Sequence, residues 1–120
     1  MLQKCEPLWK IWRHFVRGDV YRLPARKEAK GHEQRGARFG VVVQSDLLNI
    51  STVLISPTSA SARATYYRPV IEISGTETRV IPEQTAVVDA ERLGKFVGRL
   101  SVRELAAVDQ ALHDVFGLMF

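Results

Sequence analysis

Residues 31–46 read GHEQRGARFGVVVQSD, a charged, glycine-bearing stretch that runs straight into Val41, Val42 and Val43. The three valines anchor a strand in a core, and that strand opens on Arg38. A buried strand does not need an arginine at its mouth. A fold that aims a cation at a phosphate does, because an anchored strand can hold the planar guanidinium at the edge of a concave surface.

Outward from this segment, strands are expected near 18–23, 38–45, 51–57, 68–73, 78–87 and 95–99, with Val, Ile, Thr and Tyr crowding the runs and Pro24, Gly31, Gly36, Asn49, Pro57 and Gly75 punctuating them. No run repeats at a fixed period, which argues against a solenoid or propeller. Short strands on short links predict a β-rich α+β fold: a small barrel of about six strands closed by one helix. The helix carries its own signals. Ser101 and Glu104 form a capping box, Leu105, Val108, Leu112 and Val115 make an apolar stripe, and Gly117 suits a C-terminal cap.

The chain has 120 residues, 46% hydrophobic and 25% charged, with no apolar run near the length of a membrane span. A domain this size hides roughly two thirds of its unfolded surface, enough for a core without disulfide or metal. The single Cys5 cannot form an internal bridge, and the expected compartment is the cytoplasm. Seventeen Lys and Arg against thirteen Asp and Glu give a net charge of +4, which permits a polyanionic partner without demanding one.

Two segments stand apart. Residues 1–16, MLQKCEPLWKIWRHFV, place Leu8, Ile11, Trp12 and Phe15 at helical spacing behind Pro7. They read either as a helix packed on the domain or as a leader preceding a barrel domain at 17–120. Residues 24–37, PARKEAKGHEQRGA, lack any large apolar side chain. They read as a solvated hairpin tip or as a basic lid over a backbone phosphate, with Lys30, Gln34 and Arg35 as the expected nucleic-acid contacts.

RGDVYRL (17–23), GHEQRGARFGVVVQSD (31–46), TVLISPTS (52–59), EQTAVVDAERLGKFVGRLS (83–101) and ELAAVDQAL (104–112), in that order and spacing, resemble the MazF/PemK family of toxin endoribonucleases. The resemblance covers about residues 17–118. It implies an SH3-like barrel, a homodimer, a MazE-like protein antitoxin as partner, and sequence-specific cleavage of single-stranded RNA with no cofactor and no metal. By the same resemblance, Arg38 matches the family's catalytic arginine and Thr58 its hydroxyl residue at the end of the third strand. Glu83 and Gln84 match an acidic-Gln pair implicated in RNA recognition, and Glu33 matches the loop glutamate before the arginine. One departure stands out: the family usually follows its arginine with proline, and this chain has Phe39, so the backbone there is less constrained.

The residues suit that chemistry on their own terms. RNA supplies its nucleophile, the ribose 2′-hydroxyl, so a catalyst need only orient it, take its proton, stabilise the phosphoryl charge and protonate the leaving 5′-oxygen. Arg38 can hold two non-bridging oxygens while staying protonated. Thr58 can donate to the same phosphate but is a poor base at neutral pH. His32 and Glu33 are the two candidates for proton acceptor. Tyr66 and Tyr67 can stack on bases or divide between core and surface, and Arg63 and Arg68 can touch phosphate or remain solvated. His14, His32, His113 and Cys5 lack metal-ligand spacing. Two rival functions share the barrel: a toxin that traps a topoisomerase, and a non-catalytic SH3-like binding module.

Overall fold

The computed structural model describes residues 15–24, 38–48 and 50–119. The expected leader helix, but for its last residues, and most of the expected lid therefore lie outside the described residues. Seven strands follow one another as β1 (Asp19–Leu23), β2 (Arg38–Val42), β3 (Thr52–Ser59), β4 (Val70–Ile73), β5 (Thr76–Val80), β6 (Ala86–Asp89) and β7 (Phe96–Arg99). A single α-helix, α1 (Val102–Phe116), comes last among the described elements.

All strand pairs are antiparallel. Six strands form the path β4-β5-β3-β2-β1-β7, the nearly closed barrel that the strand spacing predicts, and β6 adds to β3 off that path. The run expected as one strand over 78–87 is two strands. Pro82 is the reason: it has no N–H for a ladder, its ring fixes φ, and it opens a 3-10 turn at Pro82–Gln84 that ends β5 before β6 begins. Between β4 and β5, Ser74 and Gly75 both have positive φ, of 50° and 81°, as a two-residue turn matching the twist of its strands requires.

The three valines are buried for two different reasons, because successive strand residues face opposite sides. Val20, Val41 and Val43 join Ile71, Ile73, Val80, Leu100, Val108 and Leu112 in one core, closed by α1. Tyr21 and Val42 join Val53, Ile55 and Leu93 in a second core on the other face. There Tyr21 meets Phe15 and Phe96 edge to face, with centroids 5.4 and 5.6 Å away. A strand covered on both faces reads as a continuous apolar run, which is what VVV is.

The helix ends are closed as the sequence predicts. Ser101 Oγ accepts from Glu104 N at 3.1 Å and Glu104 Oε1 accepts from Ser101 N at 2.9 Å. Gly117, with φ 66°, turns the C-terminus while Leu118 N donates to His113 O. Val108, Ala111 and Leu112 are buried, and Leu105 and Val115 are half-buried. The RGD tripeptide is structural: Arg17 donates to Val43 O and pairs with Asp109 on α1, and buried Asp19 accepts from Arg99 Nε at 2.7 Å. That bond holds the Arg99 guanidinium above its ordinary pKa. Among the described residues, no helix is long and apolar enough to cross a membrane.

Candidate active site

Arg38 opens β2 and Thr58 lies near the end of β3, and because the two strands run antiparallel these positions meet at one end of the sheet. The register Gly40↔Pro57, carried one step further, sets Phe39 opposite Thr58. Thr58 Oγ1 donates to the Phe39 carbonyl oxygen at 3.3 Å. Arg38 is the next residue along, paired with Leu23 of β1. Thr58 is buried and Arg38 half-buried.

Strand alternation then parts their side chains. Arg38 shares the face of its partner Leu23 and of Val42, which pack in the second core. Thr58 shares the face of Phe39 and of its β5 partner Val80, which pack in the first. The two side chains leave the sheet from opposite faces at its rim. They reach one phosphate only if that phosphate sits at the rim and the guanidinium turns over the strand end, which is a stricter condition than the sequence-based expectation that the two simply converge.

Beside Thr58 opens a cleft of about 100 Å³ lined by Phe39, Thr58, Ser59, Thr76 and Thr78. Thr76 and Thr78 were not among the sequence-based candidates. Their signal was available in the alternation of TETRV, which puts Thr76, Thr78 and Val80 on one face.

The Pro82–Gln84 turn is tied to β3 by a hydroxyl chain. Thr85 Oγ1 donates to Pro82 O at 2.7 Å, so its one proton is committed and Ser56 Oγ is the donor in the 2.6 Å contact between the two hydroxyls. The turn presents Glu83 and Gln84, both exposed. Glu83 is already engaged: its Oε2 accepts from Arg68 Nε at 2.8 Å and from Nη2 at 2.6 Å. This hydrogen bond raises the Arg68 pKa, against the smaller opposing effect of burial, so the cation persists at any working pH. Arg68 also donates to Arg63 O, and Arg79 donates to Arg68 O at 2.8 Å. The structure thus makes Arg68 the partner of Glu83. The other sequence-based candidates, Lys30, His32, Glu33, Gln34 and Arg35, lie outside the described residues.

With this geometry in place, comparison with known proteins defines the class. The chain belongs to the family of PemK-like, MazF-like toxins of type II toxin-antitoxin systems, whose family model matches residues 16–116. It is 36% identical over 104 residues, 86% of this chain and 98% of the relative, to a Mycobacterium tuberculosis protein named as a candidate toxin, Rv3098A/RVBD_3098A. Its fold is similar to that of a mycobacterial endoribonuclease solved with its cognate antitoxin (TM-score 0.72, 18% identity, 88% of this chain and 97% of that one). It is also similar to that of MazF from Deinococcus radiodurans (TM-score 0.70, 19% identity, 88% of this chain and 98% of that one). At these identities the structural likeness is one of fold.

Proposed function

We propose that the protein is an endoribonuclease toxin that cuts single-stranded RNA and is neutralised by a MazE-like antitoxin. The observation that carries this reading is the family match over residues 16–116, which spans both Arg38 and Thr58 at adjoining ends of β2 and β3. In the proposed reaction the ribose 2′-oxygen attacks the adjacent phosphorus, an O2′–P bond forms, and the P–O5′ bond breaks. The 2′-hydroxyl proton passes to His32 or Glu33, and the departing O5′ gains a proton. The products are a 2′,3′-cyclic phosphate and a 5′-hydroxyl.

Arg38 stabilises the extra phosphoryl charge at the rim, as a guanidinium that never loses its proton can do. Thr58 positions the same group. The nucleophile belongs to the substrate, so the chemistry needs no metal. Lys30, Gln34 and Arg35 contact the RNA strand, and Glu83 and Gln84 contribute to its recognition. A second copy of the chain completes a homodimer, for which the exposed Leu47, Leu48 and Ile50 after β2 supply apolar surface.

The test is incubation of a long single-stranded RNA with the purified protein in EDTA, followed by sequencing of the 5′ ends. Discrete cuts with 5′-hydroxyl ends, lost in Arg38→Ala, are expected. Intact RNA with retained binding would instead indicate the non-catalytic module.

A further inference from the structure

Tyr66, in the link between β3 and β4, is 84% exposed, the largest exposure of any aromatic side chain among the described residues. It is nonetheless braced. Its ring stands edge-on against Tyr67, with centroids 5.3 Å apart and planes at 89°. Tyr67 in turn faces the Arg68 guanidinium, 5.6 Å from its ring centroid. Arg68 is clamped by Glu83 at 2.6 and 2.8 Å and by the Arg63 carbonyl at 3.2 Å. An unbroken series of contacts therefore runs from an open aromatic face to the turn that carries Glu83 and Gln84.

This bracing matters because an aromatic ring held in place before a ligand arrives loses little further freedom on binding. The surroundings select among ligands. Glu83 already neutralises Arg68, so the surface next to the ring is not a simple cationic patch for an acidic peptide. It offers a π face, with the exposed amide of Gln84 on the turn that Arg68 grips and the side chain of exposed Arg63 in the same link. An unpaired nucleobase matches that set: the ring stacks, the amide reads an edge, and the arginine meets the adjoining phosphate.

We propose that Tyr66 is the stacking platform of a nucleobase subsite, braced by Tyr67 and the Arg68–Glu83 pair, which takes an unpaired base of the RNA flanking the cut. This rests on the ribonuclease reading above for the identity of the polymer. Arg68 acts here as a positioning residue, through Tyr67 and Glu83.

The experiment uses the full chain and a fluorescent single strand of the mapped cut-site sequence built of 2′-deoxynucleotides, which binds but lacks the nucleophile. Tyr66→Ala is expected to weaken binding about tenfold and Tyr66→Phe by no more than about twofold, because stacking needs the ring and not the hydroxyl. An abasic scan of the strand then locates the contact. At one position, removing the base weakens wild-type binding about tenfold and leaves Tyr66→Ala unchanged. Equal abasic penalties in the two proteins at every position would overturn the subsite, as would wild-type affinity in Tyr66→Ala. If the wild type cuts no RNA, the ribonuclease reading fails. The same scan on a mixed-sequence deoxy strand then decides the subsite by itself.

Discussion

The Thr58 hydroxyl donates to the carbonyl oxygen of Phe39 at 3.3 Å, which stitches the end of β3 to β2 one residue from Arg38. Its single proton has an internal acceptor, and the long distance makes that bond easy to exchange for a better one. A phosphate oxygen at the rim is the stronger acceptor, since it is charged. Thr58→Val keeps the shape and removes the donor. RNA cleavage is expected to fall about a hundredfold in single-turnover assays, while Thr58→Ser retains most of the rate. An unchanged rate in Thr58→Val would remove the hydroxyl from the mechanism.

Gly40 sits in the middle of β2, where a Cβ would stand 2.3 Å from Ile55 Cγ2 and 3.1 Å from Leu23. Both neighbours pack in the second core, so neither can withdraw cheaply. Gly40→Ala is expected to cost about 1–3 kcal/mol of stability in urea unfolding. Gly98 on β7 has no atom within 4 Å of such a Cβ. Gly98→Ala should therefore stay within about 0.5 kcal/mol of wild type.

Glu104 serves two elements at once. Its Oε1 accepts from Ser101 N at 2.9 Å, closing the helix cap, and its Oε2 accepts from Glu72 N at 2.8 Å on β4. Ser101→Ala removes only the cap and is expected to cost about 1 kcal/mol. Glu104→Ala releases both backbone donors and should cost more, about 1–2 kcal/mol. Hydrogen exchange distinguishes the two variants: the Glu72 amide exchanges faster in Glu104→Ala and keeps its protection in Ser101→Ala.

The fold was legible where one physical signal dominates. S-x-x-E followed by an apolar stripe fixes a helix start in any context, and the valine run at 41–43 fixes β2. The break within 78–87 is legible too, because Pro82 removes a ladder donor there and forbids one continuous strand. Arg38 and Thr58 are nominated by the sequence, whereas the faces they occupy depend on register, which no single strand contains. From its local sequence Arg68 reads only as a phosphate contact or a solvated side chain. Its capture by Glu83 joins residues 15 apart in sequence through folding, and nothing local announces it.

The single most direct test follows from alternation along β2 and β3, which sends Arg38 and Thr58 off opposite faces of the sheet yet asks both to act on one phosphate. Single-turnover cleavage of a defined RNA should be measured for wild type, Arg38→Ala, Thr58→Val and the double variant. One shared phosphate predicts a loss of about a hundredfold or more in Arg38→Ala, and a double variant little slower than the worse single one, because groups acting as a unit are not additive. Losses that multiply in the double variant would contradict it, showing that the two side chains act on separate events.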